Sequence, residues 1–275
     1  MIIIYVSREI EMKRNVVREL LKAGKPTLST RMVTTSPEIV EMIGRSGMFD
    51  FIELLGEYAA WDLTDLETFA RSVELFPNMS SMMKVEREPR LHITQRALGI
   101  GFQSLLFADC DTAKEVEECI RYVRPLTPED GGLHGSSNRR NVGYVLVAGG
   151  EKWAEAMRDI VIDVMIESET AVQNLEEILS VKGVDMVHFG PSDYALSIGK
   201  PGKCKSPEVQ TQHRYVIETA LKHHVRPRVV IDNYEEASEY AAMGVKDFCV
   251  GNDLGIIYKW CQKNGKEMRN LLAVK

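Results

Sequence analysis

The sequence predicts a (β/α)8 barrel with an N-terminal helix and a long loop before the fifth strand, as one domain over residues 1–275. Three observations point there. Eight short runs rich in β-branched, aromatic and other apolar residues alternate with longer stretches of helical period, the pattern of strand–helix units wound into a parallel sheet. The chain has 275 residues, and barrels of this class run to roughly 250. An open doubly wound sheet would carry a Gly-rich phosphate turn after its first strand, and "PTLSTRMVTTSPE" (26–38) has none.

The elements follow in order. Residues 8–24 ("REIEMKRNVVRELLKAG") read as a helix closed by Gly24. "PTLST" (26–30) is the first strand, and the helix of 36–47 has Ser36 as N-cap and Pro37 at its first position. The next units pair strand 49–55 with helix 63–76, strand 80–85 with helix 90–101, and strand 104–108 with helix 111–123. Segment 124–150 is long and irregular, and loops of that length in compact domains usually carry function. "DIVIDVMI" (159–166) is the fifth strand; its helix, 170–180, is expected to open on a capping box of Thr170 and Gln173. Strand 184–190 leads to helix 206–224, strand 226–232 to helix 234–244, and strand 246–251 to a C-terminal helix from about Asp253.

Composition narrows the function. Apolar residues make up 44% and charged residues 27%, and the net charge is -6. A mildly acidic chain without a long basic run lacks the electrostatic footprint of a nucleic-acid binder. The five cysteines (Cys110, Cys119, Cys204, Cys249, Cys261) include no CxxC pair and read as free thiols of a reducing compartment. "MIIIYV" at the N-terminus is too short for a membrane span or a signal-peptide core. The expectation is a cytoplasmic protein.

Two carboxylates stand where a barrel places its chemistry. Glu167 ends the fifth strand and Asp193 lies just past the sixth, behind Gly190 and Pro191. Adjacent strands bring such acids together, and two close carboxylates repel unless a proton or cation sits between them. Their oxygens suit Mg²⁺ or Mn²⁺, which keep waters and leave positions for substrate. Acids after strands also cap the helices that follow, and spacing alone leaves both readings open.

The stretch "IESETAVQNLEEILSVKGVDMVHFGPSDYALSIG" (166–199) resembles the HpcH/HpaI aldolase family, the metal-dependent pyruvate aldolases of the phosphoenolpyruvate/pyruvate barrels. The likeness extends from about Gly24 to the C-terminus. It implies that Glu167 and Asp193 bind the divalent metal, Mg²⁺ or Mn²⁺ with Co²⁺ as a further option. It also implies that the turn of Gly190, Ser192 and Asp193 holds the carboxylate of a 2-oxo acid on backbone N–H groups. The implied reaction is retro-aldol cleavage of a 4-hydroxy-2-oxo acid to pyruvate and an aldehyde through a metal-stabilised enolate. A decarboxylase or hydrolase on a related 2-oxo acid, or a non-catalytic metal and oxo-acid binder, would share the same anchors. The resemblance further implies a homo-oligomer, a hexamer in which the last helix is exchanged between subunits.

Four positions depart from the family pattern. Gly-Glu-His becomes Gly56-Glu57-Tyr58, so Tyr58 stands at the acid/base position. The arginine of the third strand becomes Lys84, with Arg87 nearby; the glutamine before the metal glutamate is Met165; and Gly-x-Arg-Gly becomes Gly132-Leu133-His134-Gly135. Lys84 is expected to place positive charge at the oxo oxygen. His134 is a candidate acid/base, with a solvent-facing loop position as the alternative; Tyr58 is expected to hydrogen-bond the substrate without acting as a free base. Arg139 and Arg140 are candidates for a substrate's distal carboxylate or for a surface role. His188 is expected in the core, and His223 and His224 beside a helix C-terminus.

Overall fold

The computed structural model describes residues 13–136, 140 and 148–273. Eight parallel strands close into a barrel in chain order: β1 (Thr27–Met32), β2 (Phe51–Leu54), β3 (Ser80–Val85), β4 (Ser104–Phe107), β5 (Val161–Ile166), β6 (Met186–Phe189), β7 (Arg226–Ile231) and β8 (Asp247–Asn252). Closure is made by β1 pairing with β8, from Thr27 opposite Asp247 to Arg31 opposite Asn252. Each strand lies within one or two residues of its expected position.

The helices are α1 (Val16–Lys22), α2 (Pro37–Ser46), α3 (Leu63–Glu74), α4 (Arg90–Ile100), α5 (Ala113–Val123), α6 (Glu151–Arg158), α7 (Glu169–Gln173), α8 (Leu175–Leu179), α9 (Pro191–Ser197), α10 (Pro207–Lys222), α11 (Ala237–Ala242) and α12 (Asp253–Ala273). Ser36 caps α2 with Pro37 in its first turn, and Gly24 turns the chain after α1 at φ 65°. Three expectations need correction. The N-terminal helix does not include residues 13–15, because Asn15 is its N-cap and spends its amide on the carbonyls of Gln103 and Asp159; residues 8–12 lie outside those described. Helix α7 is capped by Ser168, whose Oγ accepts the Ala171 N–H at 2.9 Å, so no Thr170 box forms. Helices α6 and α9 were not anticipated: α6 follows the long loop, and α9 begins on the Pro of the Gly-Pro turn.

Two layers of side chains fix the barrel. Outward-facing Met32, Ile52, Leu54, Val187 and Phe189 pack under the helices in the main apolar cluster. Inside, Phe51, Met82, Leu106, Val161, Met165 and Met186 form a second cluster with Val17 of α1. Helix α1 therefore plugs the end where strands begin, held by a bidentate Arg18–Asp185 pair at 2.6 and 2.7 Å. A charged layer also lines the interior: Arg228 of β7 pairs with Asp163 of β5 at 2.9 Å and with Glu53 of β2. Both acids share one guanidinium, yet burial still pushes the Asp163 pKa up to about 7 against the pull of Arg228.

At the opposite end the loops after the strands are exposed to ligands. Helix α12 begins there on Asp253, which accepts hydrogen bonds from the N–H groups of Val33 and Thr34 at 2.9 and 3.0 Å and from the Thr34 hydroxyl at 2.7 Å. Beyond that anchor α12 exposes Ile256, Ile257, Trp260, Met268 and Leu272. Among the described residues no helix is long and apolar enough to cross a membrane.

Candidate active site

The ends of β2 to β6 bring one acidic and basic cluster to the barrel mouth. Glu167 follows β5 directly and is 5% exposed. Its Oε1 accepts the backbone N–H of Asp109 at 2.8 Å. Asp109 can aim that N–H because it adopts φ 53°, a left-handed conformation that Asp tolerates better than most residues. Its other oxygen, Oε2, faces the Gly-Pro turn. A Cβ on Gly190 would stand 3.0 Å from Oε2 and 2.7 Å from the Glu167 Cβ, so only glycine leaves this carboxylate its place.

Asp193 lies in the first turn of α9, half-buried, and its carboxylate takes no hydrogen bond or ion pair among the described residues. It is close enough to act on Glu167. Burial pushes the Glu167 pKa up to about 7; Lys84 and the Asp109 N–H oppose the rise, and the Asp109 and Asp193 carboxylates add to it. The free donors of this pair, one oxygen of Glu167 and the carboxylate of Asp193, are hard anionic oxygens that fit Mg²⁺ or Mn²⁺. Among the described residues no cluster of three or more His, Cys, Asp or Glu side chains forms a metal cage. A cation here would thus complete its shell from substrate and water, as a catalytic position requires.

Lys84 supplies the cationic side. It is 2% exposed on β3, donates to the Tyr58 hydroxyl at 2.8 Å and pairs with the Glu57 carboxylate. Burial alone would lower its pKa, but Glu167, Glu57 and Tyr58 overcome that and hold it above the ordinary value. The lysine is therefore charged at any working pH. Tyr58 follows Gly56, whose carbonyl accepts the Trp61 indole N–H at 2.6 Å and fixes the loop. Burial and Glu57 raise the Tyr58 pKa against the opposing pull of Lys84. Its hydroxyl already accepts from Lys84, which leaves the phenolic hydrogen to donate. Met165, 6% exposed, lies two residues before Glu167 with its sulfur against the Gly190 turn.

The other candidates are not brought to this cluster. His134 is 2% exposed; its backbone bonds to Arg124 and Leu126 at the end of α5, and its ring stands 6.1 Å from that of Trp153 on α6. Arg124 reaches the carbonyl of Ile160, just before β5 begins. His134 thus sits near the strand starts, a barrel's length from Glu167, and is buried rather than solvent-facing. Arg140 binds Glu74 and the Ile100 carbonyl, a structural role, and Arg139 lies outside the described residues. Arg87 turns away to Asp111 and Glu115. His223 pairs with Glu176. His188 is in the core as expected, 3% exposed, but its Nδ1 has no partner. Two participants were missed, Glu57 and Asp109. Asp109 follows β4 as Glu167 follows β5, and that parallel was the available signal.

Two acids and a buried lysine gathered at the strand ends give the layout of a barrel enzyme, whose chemistry sits at that face. The HpcH/HpaI aldolase/citrate lyase family matches residues 66–258, and the chain belongs to that family. It is 30% identical over 251 residues to the 5-keto-4-deoxy-D-glucarate aldolase of Klebsiella pneumoniae, covering 90% of this chain and 94% of that protein. The aldolase of the same name from Escherichia coli O6:H1 is also 30% identical, with the same coverage. Among solved structures, an HpcH/HpaI aldolase/citrate lyase family protein from Burkholderia cenocepacia superposes with a TM-score of 0.84 at 22% identity, covering 93% of this chain and all of that one. An HpcH/HpaI aldolase from Desulfitobacterium hafniense gives 0.83 at 22% identity, with 94% and 97% covered. At that identity the structural likeness speaks for the fold. Family and curated relatives together make the protein an aldolase-type lyase acting by retro-aldol cleavage, metal-dependent as its family is.

Proposed function

We propose that the protein cleaves a 4-hydroxy-2-oxo acid to pyruvate and an aldehyde, with Glu167 and Asp193 as ligands of Mg²⁺ or Mn²⁺. The observation that carries this reading is the Glu167 carboxylate, fixed on one oxygen by Asp109 and bare on the other, beside an unpartnered Asp193. A bound divalent cation supplies Lewis-acid polarisation of the oxo group. The first-turn N–H groups of Ser192 and Asp193 have no partner within the helix, and they receive the substrate carboxylate. Gly190 and Met165 shape the floor beneath it. Lys84 puts a permanent positive charge where negative charge develops as the C3–C4 bond breaks. Tyr58 orients the C4 hydroxyl through a hydrogen bond and stays protonated throughout; the C4 hydroxyl proton passes to a water in the open mouth, and water returns a proton to C3 to give pyruvate.

Two further readings accompany this one. The exposed apolar face of α12 is covered by a second copy of the chain, making a homo-oligomer; a hexamer is the family expectation. The five cysteines, none of them in a disulfide, suit the reducing cytoplasm.

The test is pyruvate release from a panel of 4-hydroxy-2-oxo acids, headed by 5-keto-4-deoxy-D-glucarate for which the relatives are named. Pyruvate should appear with Mg²⁺, Mn²⁺ or Co²⁺ and cease in excess chelator. No pyruvate from any member, or full activity in chelator, overturns the reading.

A further inference from the structure

Two thiols beside the candidate site take no part in the cleavage chemistry. Cys110 lies in the loop after β4, one residue past Asp109, and Cys119 lies on the buried face of α5 with Val116, Ile120 and Val123. Both side chains are buried, and their sulfurs stand 3.8 Å apart as a hydrogen-bonded thiol pair. Neither is in a disulfide. A disulfide needs its sulfurs at about 2 Å, so this pair is one short displacement from a covalent bond.

The surroundings favour reaction over packing alone. A buried thiol in apolar surroundings is inert, whereas a neighbouring cation favours the thiolate that attacks an oxidant. Arg90 is that cation. It is buried at the start of α4 within electrostatic reach of both sulfurs, and its Nη2 donates to the Ala108 carbonyl at 2.6 Å. The Cys110 hydrogen bond and the Arg90 charge hold the Cys119 pKa below the ordinary thiol value against burial, while Cys119 and burial raise that of Cys110. Cys119 is thus the nucleophile of the pair and Cys110 its resolving partner.

The loop that must give way for the bond to form is the one that orients Glu167. It is pinned at Ala108 by Arg90 and at Asp111 by Asn174, whose Nδ2 donates to the Asp111 carbonyl at 2.8 Å. Helix α5 is fixed by its capping box of Thr112 and Glu115 and by its buried face. Movement of Cys110 toward Cys119 therefore falls on the stretch between Ala108 and Asp111. Asp109 is in that stretch, and its N–H holds Glu167 at 2.8 Å.

We propose that Cys110 and Cys119 form a reversible redox site: hydrogen peroxide joins them in a disulfide, which draws the Asp109 N–H off Glu167 and weakens the cation site. In the first step the Cys119 thiolate attacks one peroxide oxygen. The O–O bond breaks, the departing hydroxide takes a proton and leaves as water, and Cys119 becomes a sulfenic acid. The Cys110 sulfur then attacks the Cys119 sulfur. The S–S bond forms, the S–O bond breaks, and the hydroxyl leaves with the Cys110 proton as a second water. Each sulfur loses one electron, and the two peroxide oxygens are reduced to water. A dithiol reverses the bond by exchange. The effect on the cation rests on the reading of Glu167 and Asp193 as its ligands; the disulfide does not.

The intact protein is treated with hydrogen peroxide and quenched with catalase, and a portion is then reduced with dithiothreitol, which is removed. Each sample is read by tryptic peptide mass spectrometry, since Lys114 separates the two cysteines, and by calorimetric titration with Mn²⁺. The oxidised parent should give a peptide pair joined through Cys110 and Cys119. Its Mn²⁺ affinity should fall by at least about tenfold, the lower bound for losing a partner of a metal ligand. Reduction should remove the crosslink and restore the affinity. Cys110→Ala and Cys119→Ala should each bind Mn²⁺ within a few-fold of the reduced parent and keep that affinity after peroxide. Cys110 and Cys119 recovered as free thiols, while the exposed Cys261 is oxidised, overturns the redox site. A crosslink that leaves Mn²⁺ affinity unchanged, or an equal loss of affinity in the alanine variants, overturns its control of Glu167. A reduced parent that binds no Mn²⁺ overturns the cation reading and the coupling with it, while the crosslink still decides the redox site.

Discussion

The backbone N–H of Asp109 and the carboxylate of Glu167 meet at 2.8 Å, so the loop after β4 sets the orientation of the side chain that ends β5. One oxygen is immobilised and the other is presented to the mouth. A ligand held in that way loses little freedom on binding a cation, which is how preorganisation raises affinity.

Glu167→Gln and Asp193→Asn should each weaken Mn²⁺ binding by more than about 100-fold, since even outer-shell partners of metal ligands cost roughly 10–100-fold. Calorimetric titration reads the affinity, and circular dichroism should show an intact fold. Affinity within a few-fold of the parent in either variant rules that residue out as a ligand.

Gly190→Ala should reproduce part of this loss without removing any charge. The new methyl would press on the Glu167 side chain at 2.7 Å, and the carboxylate would have to leave the Asp109 amide. Overpacking of this kind costs roughly 1–3 kcal/mol of stability. A crystal structure of the variant should show Glu167 displaced; an unmoved Glu167 with normal Mn²⁺ affinity contradicts the prediction.

Tyr58→Phe should lower kcat/KM by about three- to tenfold, the worth of one hydrogen bond. The raised Tyr58 pKa keeps the phenol protonated near neutrality, so the pH–rate profile should keep its shape. Lys84→Met should cost far more, because Glu57 and Glu167 would lose their common cation. Disappearance of a neutral-pH limb in Tyr58→Phe alone would make the tyrosine a base.

Acid should destabilise the protein through His213. Its ring is stacked 5.0 Å from Phe189 and tilted against Tyr240 at 5.0 Å, and burial, aided by Arg214, lowers its pKa to about 4. An unfolded histidine titrates near ~6.5. The folded value is depressed, so the contribution is complete above the unfolded pKa and is lost as pH falls toward the folded one. The loss is about 3 kcal/mol in order of magnitude. Urea unfolding at neutral pH and near pH ~4 should show a smaller acid loss for His213→Phe than for the parent. Some slope should persist, because His188 is shifted in the same direction. Identical acid losses would clear His213 of the effect.

Arg228→Met should destabilise by roughly 3–5 kcal/mol, because Glu53 and Asp163 would be left buried and unpaired. Adding Glu53→Gln and Asp163→Asn to it should recover much of that loss. Failure of the triple variant to recover any stability would show that packing, not charge, is what Arg228 provides.

The strands were legible because each is a short apolar run between helical periods; the same pattern placed Glu167 after β5 and Asp193 past β6, while their reading as metal ligands came from the family resemblance. Helix α6 escaped notice, although Trp153 and Met157, spaced by four, mark its buried face. The inner charged layer escaped for a different reason. Glu53, Asp163 and Arg228 sit in strands buried on both faces, where alternation is lost, and which acid meets which base is set by barrel closure. His134 illustrates the limit of local reading: its glycine-rich surroundings point to an exposed loop, yet tertiary packing buries it against Trp153.

Helix α1 gives the fold a timing problem during synthesis. Asn15 and Arg18 bond to Asp159 and Asp185, 144 and 167 residues later in the chain. At about 5–20 residues per second of translation, those partners are made roughly 7–33 s after it. Through that interval Val16 and Val17, both buried in the finished barrel, remain exposed on the nascent chain. The segment that seals the finished barrel is thus among the first made and among the last to find its partners.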